Sequence, residues 1–152
     1  MPQIRDPGLQ WPEVDLDKAL ATIPGSRTKN GRALTVPLSP PAVAILEAVH
    51  RFSDVLVFPS IGWGHAKAAL DAKLTLPHWT IHDIRRSCRS LWIDGEHGLG
   101  LDVHLCELML GHALPGIIGV YDKATRLPER RRALERWAGM VLRAAGEPIE
   151  GA

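Results

Sequence analysis

The sequence predicts an α+β fold, mainly α: a small antiparallel β-sheet near the amino end, followed by a helical bundle. Three observations predict it. Short apolar stretches separated by turn residues run from Trp11 to Pro37, an Asn30-Gly31 pair sits among them where a hairpin can reverse, and from Val43 onward apolar residues fall at helical spacing. The chain has 152 residues, enough for one domain with a core of its own and too few for two full domains. The expected division is one domain over 1–146 and a frayed, flexible tail over 147–152.

In order, Val14 to Leu16 and Ala19 to Ile23 are expected as short strands, and Arg27 to Pro37 as a hairpin turning at Asn30-Gly31. Asn-Gly favours such a turn because both central positions need positive φ. After Pro40 and Pro41, the spacing of Val43, Leu46, Ala48 and Val49 predicts an amphipathic helix to about Phe52, then an extended segment over Val55 to Phe58 closed by Pro59. The alanine-rich stretch from Gly64 to Leu74 predicts a helix that ends before Pro77. Thr80 and Asp83 form a cap pattern for a helix running through Leu91 and Trp92 until Gly95, because hydroxyl and carboxylate can satisfy the amide groups that lack intrahelical partners. Gly95 to Gly100 is expected as a surface loop, Val103 to Leu110 as a helix stopped by Gly111, and Pro115 as the start of a short helix carrying Ile117, Ile118, Val120 and Tyr121. A last helix from about Pro128 places Leu134, Trp137, Ala138 and Val141 on one stripe, opposite the basic run Arg130 to Arg132.

Composition excludes several classes. Hydrophobic content of 45% with 23% charged residues is that of a globular protein and argues against disorder. No apolar run approaches the ~18 residues that span a bilayer, and the amino end lacks a secretion pattern, so a soluble cytoplasmic protein with no membrane partner is expected. Cys88 and Cys106 form no CxxC pair and read as buried thiols. A net charge of +1 by itself gives little support to a nucleic-acid partner.

Four places could carry chemistry. His82 and Arg85, three apart near a helix start, share a face that can hold a phosphate through a planar guanidinium fork, or can be an ordinary polar face. His112, after Leu110-Gly111, can be turned into a cleft or simply cap the helix. Tyr121 is the one tyrosine of the chain, on an apolar segment where a core or rim role is the plainer reading. Lys29 flanks the hairpin turn, where lysines are mostly solvated. His97, His104, Cys106 and His112 lie close in sequence, but His104 and Cys106 are two apart on an expected helix and point to different faces, so no metal site is expected.

Taken together, Lys29 at a hairpin, His82-Asp83-Ile84-Arg85 at a helix start, Leu110-Gly111-His112 and Tyr121 form an ordered set that resembles the tyrosine recombinases, or phage integrase family. The resemblance covers nearly the whole chain. It is nearest to the integrases of prophages and P4-like elements, in runs similar to Gly111-His112-Ala113-Leu114-Pro115-Gly116, Val120-Tyr121 and Ala133-Leu134-Glu135-Arg136-Trp137-Ala138, and in the lysine hairpin from Arg27-Thr28-Lys29-Asn30-Gly31-Arg32 to Val36-Pro37-Leu38-Ser39. What the resemblance implies is the catalytic-domain fold of that family and site-specific recombination of double-stranded DNA through a 3′-phosphotyrosine, with no ATP, metal or other cofactor. Tyr121 is then the nucleophile, Arg85 and His112 hold the charge that develops on the phosphate, Lys29 protonates the leaving 5′ oxygen, and His82 assists proton transfer or positions the phosphate. Arg86 and Arg89 are expected to contact backbone phosphates, unless they are only a solvated helix face. Other protomers are expected as partners on the DNA, docked through the last helix, and the protein is expected to be bacterial or phage-derived.

Two departures from the family pattern matter. Counting back from Trp11, the first arginine of a Gly-x-Arg-x-x-Glu run falls at or near Pro2 and its glutamate near Arg5, which does not fit that register. The expectation is a partial catalytic domain that begins inside the family's own and lacks both this donor and an amino-terminal DNA clamp. One lost donor costs ~10²–10³ in rate, so recombination by this chain alone is expected to be weak or absent. The glycine-rich stretch also lengthens the segment between Arg85 and His112. The competing readings are a non-catalytic DNA-binding or interaction remnant of a prophage integrase and, less favoured by the run around Tyr121, a type IB topoisomerase.

Overall fold

The computed structural model describes residues 8–28, 30–58, 63–112 and 126–146. Among them the fold is α+β, with one three-stranded antiparallel sheet and five α-helices. The sheet has the order β1-β2-β3, with β1 at Val14–Asp15, β2 at Leu20–Ile23 and β3 at Leu34–Pro37. Its register sets Val14 opposite Ala21 and runs from Leu20 opposite Pro37 to Ile23 opposite Leu34. Ala21 and Ile23 face inward while Thr22 faces out, the period-two alternation of a sheet with one covered face. Pro37 lacks a donor and is tolerated on the edge strand.

The expected hairpin is differently built. Its arms are β2 and β3, and Arg27 belongs to a single 3-10 turn over Gly25–Arg27. Asn30-Gly31 is one bend within a longer connection, with Gly31 at φ +70 and its amide bonded to the Thr28 carbonyl at 3.3 Å. Thr28 organises this loop: it is 1% exposed, and its hydroxyl lies 3.0 Å from Gly25 O and 2.8 Å from Arg32 O. Gly25 approaches Gly31 so closely that a Cβ there would lie 2.3 Å from the Gly31 carbonyl oxygen. Ala19, expected to open β2, instead takes φ +50 in the turn after β1, with its amide on Leu16 O at 3.1 Å.

Helix α1 spans Pro40–Ala48 and stops short of Phe52, which is 74% exposed and meets only the His50 ring edge-on among the described aromatic residues. The extended segment pairs back on the amino end, through Trp11 N to Val55 O and Val57 N to Leu9 O, both 2.9 Å. Trp11, Leu46 and Val57 form the small core beneath it. Helix α2 is Trp63–Asp71, ending earlier than the alanine pattern suggests, and α3 is Ile81–Ile93 with the Thr80/Asp83 capping box in place. Helix α4 is Val103–Met109, and α5 is Leu127–Ala144. The short helix expected after Pro115 and the tail lie outside the described residues. Among the described residues no helix is long and apolar enough to cross a membrane.

The larger core joins α3, α4 and α5: Trp92, Leu105, Cys106, Met109, Leu110 and Ala133 are buried together, with Leu134 and Trp137 against them. Val141, expected on the same stripe, is 44% exposed, and Arg130, expected on the solvated side, is 4% exposed. Arg130 is drawn in because its Nη2 donates to Thr35 O at 2.6 Å, which ties α5 to β3. Burial pulls its guanidinium below its ordinary pKa.

The glycine-rich stretch is the largest departure from expectation. It folds back on the end of α3 and supplies the amide donors that the last carbonyls of that helix lack: Leu99 N reaches Leu91 O at 2.8 Å, Leu101 N reaches Trp92 O at 2.7 Å, and Gly100 N reaches Asp94 O at 2.9 Å. Gly98 lies so close to α3 that a Cβ would fall 1.8 Å from the Leu91 carbonyl oxygen, whereas a Cβ at Gly95 would meet nothing within 4 Å. Gly98→Ala is therefore expected to lower stability by about 1–3 kcal/mol, as overpacking does. Gly95→Ala should stay within about 0.5 kcal/mol. Urea unfolding of the two variants checks this, and equal midpoints would show that the stretch is not packed on α3.

Candidate active site

On α3, Arg85, Cys88 and Trp92 fall at i, i+3 and i+7, so they share the face that meets α4. Trp92 is buried and Cys88 packs beside it, so Arg85 sits at the rim where this apolar face ends. Burial raises the pKa of both the Cys88 and Cys106 thiols, which keeps them protonated.

Across from Arg85, α4 ends in a Schellman motif. Gly111 takes φ +69, its amide bonds Leu108 O at 3.0 Å, and the His112 amide bonds Glu107 O at 2.9 Å. This turn brings His112 back over the last turn of its own helix. Its Nδ1 contacts Glu107 Oε2 in a short hydrogen bond, and its Nε2 lies 3.2 Å from Arg85 Nη2. The same Arg85 nitrogen donates to Leu110 O at 2.6 Å. Among the described residues Arg85 Nε and Nη1 make no hydrogen bond, which leaves one side of the guanidinium with donors to offer.

Electrostatics follow from these contacts. A guanidinium only donates, so the contact with Arg85 puts the lone pair of a neutral His112 ring on Nε2 and its proton on Nδ1, facing Glu107. The hydrogen bond from His112 holds the Glu107 carboxyl below the usual carboxylate range, helped by Arg89 and opposed by burial. Arg89 Nε donates to Glu107 Oε1 at 2.9 Å, so both carboxylate oxygens are engaged. Two guanidinium groups, one carboxylate and one imidazole thus form a continuous line across the α3–α4 rim.

The residues singled out from sequence are unevenly placed. Arg85 and His112, 27 residues apart, are brought into contact. His82 stands exposed on α3, and its side chain makes no hydrogen bond among the described residues. Lys29 and Tyr121 lie outside the described residues. Arg89, expected to reach DNA phosphates, is engaged with Glu107, and Arg86 is 72% exposed in a loose 3.4 Å pair with Asp83. Glu107 was missed by sequence reasoning, although a signal existed: a glycine that ends a helix at Gly111 returns the next residue to the position Glu107 occupies. Arg126 and Asp102 were missed as well. Asp102 accepts the Leu105 amide at 3.0 Å as the cap of α4 and also takes Arg126 Nη1 at 3.0 Å, so Arg126 joins the start of α5 to the start of α4. Among the described residues no group of three or more His, Cys, Asp or Glu side chains could hold a metal ion.

Comparison with known proteins finds no matching family model, no matching curated protein and no matching solved structure.

Proposed function

We propose that this chain is the carboxy-terminal part of a tyrosine recombinase catalytic domain, which breaks and rejoins double-stranded DNA through a 3′-phosphotyrosine on Tyr121. The observation that carries the reading is the seating of Arg85 beside His112 at 3.2 Å, with guanidinium donors to spare. These are the two residues that the family resemblance assigns to one scissile phosphate. A cationic fork next to an imidazole suits a phosphodiester whose charge grows as the nucleophile approaches.

In this mechanism the Tyr121 oxygen bonds to phosphorus while the bond to the 5′ oxygen breaks. Lys29 gives that oxygen its proton, and His82 assists the proton that leaves the phenol. Arg85 and His112 hold the nonbridging oxygens. Attack by a 5′ hydroxyl on the phosphotyrosine reverses the chemistry and rejoins a strand, so neither ATP nor a metal takes part. Tyr121 is nine residues beyond His112 and five before Arg126, so chain length holds it within about 30 Å of the first and about 17 Å of the second. Arg86 supplies a backbone phosphate contact, and further protomers assemble on the same DNA.

The test is a nicked suicide duplex incubated with the protein and run on a denaturing gel. A slow-migrating protein–DNA adduct is expected with the wild type, at low yield, and none with Tyr121→Phe. Noncovalent shifts alone, equal in both proteins, would mean a DNA-binding remnant without chemistry.

A further inference from the structure

We propose that Glu107 is the positioning residue of this site: it fixes the His112 ring with Nε2 toward Arg85, and it supplies the negative charge that lets the ring take a second proton as an oxyanion of the phosphate or sulfate type enters beside Arg85. The recombinase reading names the anion as a DNA phosphate; the positioning itself rests on the geometry.

His112 is held to Glu107 twice. Its backbone amide bonds the Glu107 carbonyl at 2.9 Å, and its Nδ1 bonds the Glu107 carboxylate. The second carboxylate oxygen accepts from Arg89 Nε at 2.9 Å, which opposes rotation of the carboxylate away from the ring. A carboxylate held on one imidazole nitrogen selects the tautomer and orients the other nitrogen toward the reacting partner.

The charges facing the ring among the described residues are Arg85 and Arg89 from α3 and Glu107 from α4. With a neutral ring and no anion, that set sums to one positive charge. A second proton on the ring of the empty site would put an N–H against Arg85 at 3.2 Å, an unfavourable approach of two cations. An entering oxyanion removes that penalty, since it accepts from Arg85 and from the newly protonated Nε2 together, while Glu107 balances the charge behind. Anion and proton therefore favour each other's binding, and the coupling is reciprocal. The sign is fixed: between about pH 8 and about pH 5, anion affinity rises as pH falls, because proton and anion are taken up together.

Sulfate is a suitable probe because its own charge is constant over that range. Calorimetric titration of the full chain with sulfate, in two buffers of different ionisation enthalpy near neutral pH, reads the proton uptake directly. Wild type is expected to bind and to take up a substantial fraction of one proton. Glu107→Gln retains an acceptor for Nδ1–H but no charge, and should bind about tenfold more weakly with the uptake lost. His112→Ala should lose the uptake as well. The ¹⁵N signals of the His112 ring in the sulfate-free wild type should report the Nδ1–H tautomer. No sulfate binding by the wild type, equal uptake in Glu107→Gln, or an Nε2–H ring in the free protein would each overturn the proposal. Failure of the recombinase reading looks different: proton-coupled sulfate binding that depends on Glu107, but no covalent adduct on the suicide duplex.

Discussion

On the proposed recombinase function, Arg85→Ala is expected to slow covalent adduct formation on a nicked duplex by ~10²–10³, the usual cost of removing one preorganised donor from a developing oxyanion. The structure says what else the substitution removes. Arg85 Nη2 satisfies the Leu110 carbonyl at the end of α4 at 2.6 Å and approaches His112 Nε2, so alanine leaves a partly buried acceptor without its donor. That loss costs about 1–3 kcal/mol of stability. The two effects separate cleanly, because adduct rate is read under conditions where the protein is folded and stability is read by urea unfolding. Arg85→Lys refines the result. An ammonium can reach Leu110 O or an entering phosphate but cannot present the fork that serves both, so most of the stability should return and little of the rate. An adduct rate within about tenfold of wild type for Arg85→Ala would remove Arg85 from the phosphate and take the recombinase mechanism with it.

How much of this was readable beforehand depends on the range of the interaction that decided each feature. Thr80 and Asp83 were legible as a helix start because a capping box is made by residues three apart, and the structure has both of its hydrogen bonds. Gly111 was legible as a helix stop for the same reason. The contact between Arg85 and His112 was not available to local reasoning; only the order of residue types along the chain, matched to a family, suggested that they belong together. Gly95 to Gly100 misled, since clustered glycines look like slack. Here Gly98 is small enough to lie against the Leu91 carbonyl, and that proximity depends on where the chain returns. Arg130 misled in the opposite direction. A basic run reads as a solvated helix face, yet Arg130 is buried and donates to Thr35 O on β3, a partner 95 residues away. Helix α5 is amphipathic as expected, but its inward face is shared by Ala133, Leu134, Trp137 and one guanidinium.

Trp92→Ala is expected to be the most destabilising single substitution in the α3–α4–α5 core, at about 3–5 kcal/mol. Trp92 is 6% exposed and meets Trp137 of α5 edge to face, with centroids 6.0 Å apart and planes at 90°. Removing the indole therefore deletes the contact that holds α3 against α5 and opens a cavity between Leu105, Cys106 and Ala133. One term works against this. Among the described residues the buried Trp92 Nε1 has no hydrogen-bond partner, a desolvation cost of about 1–3 kcal/mol that alanine would relieve. Trp92→Phe separates the two terms, because it keeps an aromatic ring in the site and discards the orphan N–H. If packing dominates, Phe should fall within about 1 kcal/mol of wild type while Ala loses the full cavity cost. The consequence reaches the rim. Arg85 is on the same α3 face as Trp92, and its bonds to Leu110 O and His112 need α3 and α4 held at a fixed distance. Trp92→Ala should therefore weaken sulfate binding as well as stability, whereas Trp92→Phe should leave the anion affinity near wild type. A Trp92→Ala protein that unfolds at the wild-type urea midpoint would mean that this core does not set the spacing of the α3–α4 rim.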